Sequence, residues 1–199
     1  MQFGPTTIVL YPTDTLYGLG VDATSPEAIT RLQHLKGRDD KKPISIVVSD
    51  IAMMNQYVEV TPLARKLAEK FLPGKITLVL KAKTRPENRD DTPLASGVVS
   101  QEGTVGIRIP DRPEALELVR DLGRPLTATS ANVSGKATAR TPEKILLQFN
   151  EKASMITDVV SIGKLPISEP STVIDARGEK PIILREGAIL TATINAAVL

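Results

Sequence analysis

The chain is 199 residues long and 41% apolar, with a formal net charge of +2, one histidine and no cysteine. That length supports one well-buried core or at most two small ones; the missing cysteines exclude disulfides and thiolate metal sites, and a lone His34 excludes zinc sites built from several imidazoles. The modest charge, with aromatics at only 3%, argues against nucleic-acid binding driven by overall charge or base stacking.

The opening "MQFGPTTIVL" lacks the basic and apolar regions of a signal peptide, and no run approaches 18 apolar residues. A cytoplasmic protein with no membrane association is expected. The first predicted strand is 7–11, "TIVLY", followed by "YPTDTLYGLG", where Thr13 and Thr15 flank Asp14. Gly18-Leu19-Gly20-Val21-Asp22-Ala23 nearly matches a dinucleotide-binding fingerprint, but those glycines do not sit at a strand-to-helix turn. Ser25-Pro26 then starts a helix: the hydroxyl caps an orphan N–H and proline has none to orphan. Ala28, Ile29, Leu32 and Leu35 form its apolar face and Gly37 ends it. The cationic stretch "KGRDDKKP" follows at 36–43.

Next come a strand at 44–48, a helix at 50–57, and a helix begun by Thr61-Pro62 with Leu63, Leu67 and Phe71 on one face. A strand is predicted at 75–81 and another at 104–109; the segment 82–103 between them is long, polar and without clear periodicity. A helix at 112–122 ends at Gly123, a strand at 125–129 leads into "TATSANVSG", and Thr141-Pro142 opens a helix at 141–150. Strands at 155–160, 171–175 and 181–185 complete the pattern. Most strands are continuous apolar runs, as expected when both faces are covered. The alternation predicts an α/β domain with a mixed sheet, because several consecutive strands have no helix between them. There is no phosphate-binding P-loop motif.

Small hydroxyls, glycines and cations gather at four strand ends: "YPTDTLYGLG", "KGRDDKKP", "TATSANVSG", and the pair "STVID" and "LREG". In open α/β sheets ligands collect outside strand ends, and such groups suit a phosphate or carboxylate. Each has a plainer reading. Thr13 and Thr15 suit turn N–H groups, Lys36 complements a helix C-terminus, and Arg38 suits a surface pair with Asp39 or Asp40. Arg108 is harder to explain that way: inside an apolar strand its guanidinium needs a cavity, a carboxylate partner or a ligand.

"YPTDTLYGLG", "KGR", "PGKITLVL", "VGIRIP", "TSANVSG", "STVID" and "REGAI", in that order, resemble the YrdC-like threonylcarbamoyl-AMP synthase family from about residue 7 to 189. The resemblance implies a twisted mixed β-sheet with flanking helices and a concave cationic cavity. It implies a short form with one domain over 1–199. The implied reaction joins L-threonine, bicarbonate and ATP, with Mg²⁺ accompanying the ATP, and releases pyrophosphate. Its product would pass to tRNA-modifying transferase proteins for threonylcarbamoylation of adenosine 37. By the same resemblance Thr13, Arg108 and Ser171 face threonine. Lys36 and Arg38 act on phosphate and carbamoyl oxygens, and Thr104, Ser130, Asn132 and Arg185 hold the nucleotide. No metal ligand is assigned. Two positions depart from the family pattern: Asp39 follows Arg38 where proline is usual, and Glu186 stands where R-P-G is commoner. The competing readings are an RNA-binding module whose cationic concavity contacts tRNA or double-stranded RNA, and a domain that binds an adenylate without making it.

Overall fold

The computed structural model describes residues 3–4, 6–37, 43–85 and 92–198. In chain order the elements are β1 (Val9–Pro12), β2 (Tyr17–Gly20), α1 (Pro26–Lys36), β3 (Ile46–Val47), α2 (Ile51–Tyr57), β4 (Val58–Glu59), α3 (Pro62–Phe71), β5 (Ile76–Ala82) and β6 (Thr104–Arg108). They continue with α4 (Pro113–Leu122), β7 (Leu126–Thr127), β8 (Thr129–Ser130), α5 (Pro142–Phe149), a 3₁₀ turn at Asn150–Met155, β9 (Asp158–Val159), β10 (Thr172–Asp175), β11 (Ile182–Arg185) and α6 (Thr191–Val198).

The three Ser/Thr-Pro start signals work as their chemistry requires. Ser25, Thr61 and Thr141 each accept a hydrogen bond from the N–H three residues on, and Gly37 and Gly123 close α1 and α4 in the left-handed conformation. Thr61 does more than cap α3: its hydroxyl accepts from the Ala64 N–H at 3.0 Å and donates to the Ala176 carbonyl at 2.6 Å. Thr61→Ala is therefore expected to cost about 1–2 kcal/mol. Urea unfolding should show a lower midpoint at an unchanged slope.

The strands form two mixed sheets, where the sequence suggested one. The first has the order β8-β2-β1-β9; the second runs β11-β10-β5-β6-β3-β7, with β4 also paired to β5. In the second sheet β5 pairs parallel with β10 and antiparallel with β6. The central apolar runs are covered on both faces, as predicted for most strands, whereas β11 is exposed at Ile182 and Leu184. Along β1, Leu10 enters a main core with Leu19, Ile29 and Leu32, whereas Val9 and Tyr11 enter a second core with Val119 and Leu126. Ile46 and Val47 of β3 divide in the same way.

Three strands and helices escaped the sequence reading: β2, β4 and α6. The glycines of β2 mask its periodicity but are needed sterically. A Cβ at Gly18 would lie 3.0 Å from the Tyr11 ring, and one at Gly20 would lie 2.7 Å from the Leu126 side chain. The strand expected over 125–129 divides. β7 pairs with β3 in one sheet, β8 pairs with β2 in the other, and the chain crosses between sheets at Ala128, whose N–H bonds the Ser45 carbonyl at 2.7 Å. That crossing places the "TSAN" stretch between the sheets. Among the described residues no helix is long and apolar enough to cross a membrane.

Candidate active site

Both sheets contribute to the wall of a cavity of about 400 Å³, within the range of small-molecule sites. Its polar lining includes Thr13 and Thr15 from the β1–β2 turn, Arg108 from the end of β6, Ser171 preceding β10, Arg185 of β11 and Ser130 of β8. Residues far apart in the chain thus converge on one hollow.

The β1–β2 turn is self-wired. The Thr13 hydroxyl donates to the Leu16 carbonyl at 2.7 Å and accepts from the Thr15 and Leu16 N–H groups, each at 3.1 Å. The local-turn reading of Thr13 and its place on the cavity wall therefore both hold. Arg108 is buried beside this turn, and its guanidinium is aimed by protein acceptors. Nε donates to the Gly74 carbonyl at 2.9 Å, Nη1 to the Thr15 hydroxyl at 3.0 Å and Nη2 to Asp14 Oδ1 at 2.6 Å. Burial pushes the guanidinium pKa down, and the Asp14 carboxylate opposes that shift. Of the options open to Arg108 in the sequence, the structure realises two: a carboxylate partner and a cavity. Nearby, the fully buried Tyr11 donates to the Thr127 carbonyl at 2.9 Å, and burial pushes its phenol pKa up.

Ser171 and Arg185 meet on the same wall. The Ser171 and Thr77 hydroxyls are 2.8 Å apart, and Arg185 Nη2 donates to the Ser171 carbonyl at 2.7 Å. Glu186, a departure from the family pattern, does not join them. Its carboxylate accepts from the Thr191 N–H at 2.7 Å and from the Thr191 hydroxyl, at the start of α6, and these bonds lower its pKa.

At the β8 end, Lys36 is only 3% exposed. Its ammonium donates to the Ser130 carbonyl and, at 2.9 Å, to the Asn132 carbonyl, while its own carbonyl accepts from the Ser134 N–H at 3.1 Å. Lys36 thus ties the end of α1 to the "SAN" stretch. The Ser130 hydroxyl donates to Asn132 Oδ1 at 2.6 Å, and Asn132 Nδ2 donates to the Lys136 carbonyl at 2.5 Å. Ser130 lines the cavity, whereas Asn132 supports it from outside the lining.

Three of the expected residues, Lys36, Asn132 and Thr104, do not line the cavity. The Thr104 hydroxyl lies 2.8 Å from the Ser100 hydroxyl and is absent from the cavity wall. Thr104 and Arg108 are the first and last residues of β6, so extended geometry separates them by roughly 13 Å. Arg38 and Asp39 lie outside the described residues. His34 is exposed on α1, as expected of a surface residue. The sequence reading missed the wall positions Thr77, Ser45 and Thr138. Thr77 carried a readable signal, a single hydroxyl within the apolar run "ITLVL"; Ser45 and Thr138 had none.

Comparison with known proteins gives a consistent picture. The family model Sua5_yciO_yrdC, described as "Telomere recombination", matches residues 6–187. A Methanocaldococcus jannaschii protein is 39% identical over 92% of this chain and 80% of its own length. The threonylcarbamoyl-AMP synthase of Vibrio vulnificus is 33% identical, covering 90% of this chain and 91% of its own. The structure of Pyrococcus abyssi Sua5 complexed with L-threonine matches with a TM-score of 0.83 at 30% identity over 96% of this chain, which spans about half (54%) of that one.

Proposed function

This chain belongs to the Sua5/YciO/YrdC family, and from that membership we propose that it makes L-threonylcarbamoyl-AMP from L-threonine, bicarbonate and ATP. The threonine amine, when neutral, attacks bicarbonate; loss of water leaves a carbamate. A carbamate oxygen then attacks the α-phosphorus of ATP and pyrophosphate departs. The product would serve the transferase proteins that modify adenosine 37 of tRNA.

What carries this reading is the convergence of Thr13, Arg108, Ser171, Arg185 and Ser130 on one cavity. Guanidinium and hydroxyl groups fixed in a hollow favour a compact anionic ligand over an extended nucleic-acid backbone. Holding three reactants together can supply on the order of 7–11 kcal/mol of the barrier in favourable cases. Arg108 would take the amino-acid carboxylate with its remaining N–H donors, and Arg185 the phosphate charge. Among the described residues no group of three or more His, Asp or Glu could hold a metal ion. Magnesium would enter as part of the MgATP substrate, held by the phosphates.

The test is pyrophosphate release from ATP by the purified chain, with threonine and bicarbonate omitted in turn. Release that needs both supports the synthase. Salt-sensitive RNA binding without turnover would favour the RNA-binding alternative.

A further inference from the structure

Arg185 is assigned the phosphate charge, yet its own strand offers little to hold it in place. β11 is four residues long and ends its sheet, paired among the described strands with β10 alone. Beside Arg185 the ladder is broken: Val173 faces Arg185 and Ile174 faces Ile183, so Leu184 is an extra, bulged residue. Ile182 and Leu184 are 60% and 56% exposed, and a strand with so few buried apolar contacts is weakly pinned. The chain just beyond Arg185 is held from β10 instead. Thr172, the first residue of β10, is fully buried and off the cavity wall. Its hydroxyl accepts from the Gly187 and Ile189 N–H groups, each at 3.1 Å, and donates to the Ile189 carbonyl at 2.6 Å. One donor and two acceptor sites are all that a threonine hydroxyl has, and all three are spent on this stretch. The Ala188 N–H adds a bond to the Pro170 carbonyl at 2.8 Å, and a Cβ at Gly187 would stand 2.2 Å from that same oxygen. Between Pro170 and Thr172 lies Ser171, whose carbonyl accepts from Arg185 Nη2 at 2.7 Å.

Resting on the synthase reading, we infer that Thr172 is a positioning residue for Arg185: without touching substrate, its hydroxyl clamps the chain after β11 and so keeps the guanidinium on the cavity wall at the phosphate end. The amino-acid end does not share this dependence. Arg108 is aimed by Gly74, Thr15 and Asp14. Ser171 keeps its own contact with the Thr77 hydroxyl at 2.8 Å, and β10 keeps its register on β5 through backbone pairing that needs no side chain. Loss of the Thr172 hydroxyl therefore acts on one substrate and spares the other, which a merely stabilising core hydroxyl would not do.

Steady-state pyrophosphate release by the full chain, with ATP and threonine varied separately, tests this. Thr172→Val keeps the branched shape and removes the hydroxyl. It should raise KM for ATP about tenfold, the scale of one hydrogen bond to a charged group, and leave KM for threonine as in the unmodified protein. Thr172→Ser, which keeps the hydroxyl, should restore the ATP requirement. In an Arg185→Ala background Thr172→Val should add nothing further to KM for ATP, because the two residues act as one. A hydroxyl that only stabilises the core would lower the active fraction, and with it kcat, without moving either KM. An unmoved KM for ATP, an equal rise for both substrates, or full additivity with Arg185→Ala overturns the inference. Should Thr172→Val fail to fold, Gly187→Ala carries the same test, since its methyl group displaces the same stretch from Pro170; it should give the same split, and an unmoved KM for ATP there overturns the inference as well. If the unmodified protein releases no pyrophosphate with threonine and bicarbonate present, the synthase reading falls first and takes this inference with it. Normal turnover by the unmodified protein, with no split between substrates in the variants, sinks this inference alone.

Discussion

Arg108→Ala is expected to abolish threonine-dependent pyrophosphate release and to destabilise the fold by about 3–5 kcal/mol, the usual cost of removing one member of a buried ion pair. The guanidinium satisfies the Gly74 carbonyl, the Thr15 hydroxyl and the Asp14 carboxylate together. Truncation would leave a buried carboxylate with neither of its oxygens bonded to a cation. For a domain whose total stability is of order 5–15 kcal/mol, that loss is large. Two effects are therefore mixed in the single variant, and a double variant separates them. Arg108→Met combined with Asp14→Asn removes both charges and fills most of the volume. Urea unfolding should show much of the lost stability regained, whereas threonine-dependent turnover should stay absent. Recovered turnover in the double variant would remove Arg108 from the amino-acid site.

Lys36→Ala is expected to lower turnover by about 10²-fold, the scale for a misplacement of about 1 Å passed to the cavity wall from outside it. It should also destabilise the protein, because two partly buried carbonyl groups lose their donor, at about 1 kcal/mol each. Those carbonyls belong to Ser130 and Asn132. The side chain thus holds the "SAN" stretch at its distance from α1. The damage should appear mainly in the ATP dependence, since the amino-acid end, around Arg108, is built from other elements. Lys36→Arg should not rescue, because a planar guanidinium cannot aim an ammonium's donors at two converging carbonyls. Steady-state kinetics with ATP and threonine varied separately decides the matter. An equal loss at both substrates would mean that the site has collapsed as a whole.

The helices were legible because their ends are chemical: Ser25, Thr61 and Thr141 with their prolines, and Gly37 and Gly123, act locally and need no tertiary context. The α/β class was legible for a similar reason, since apolar runs must be covered. Arg108 could be singled out because a cation within an apolar strand has few physical solutions, although which solution prevails depends on a contact 94 residues away. The rest depends on long-range geometry. β2 is hidden by glycines whose purpose is the space they leave for Tyr11 and Leu126. The role of Lys36 rests on backbone carbonyls, which every residue possesses and no sequence pattern marks. That Thr104 stands at the far end of β6 from Arg108, off the cavity wall, was not legible, because sharing a strand does not bring two residues to the same end.

The crossing at Ala128 bears on how this protein can vary. Thr127 is held in β7 and Thr129 in β8, with one residue between them and a different sheet on either side. An insertion or deletion there would shift register in one sheet, and a shift by one residue turns each following side chain to the opposite face. Ser130 would then leave the hollow while the core stayed largely intact. Gaps in sequence should accumulate along the irregular stretch 160–171 and be purged from 126–130, which makes that short interval the chain's least length-tolerant point.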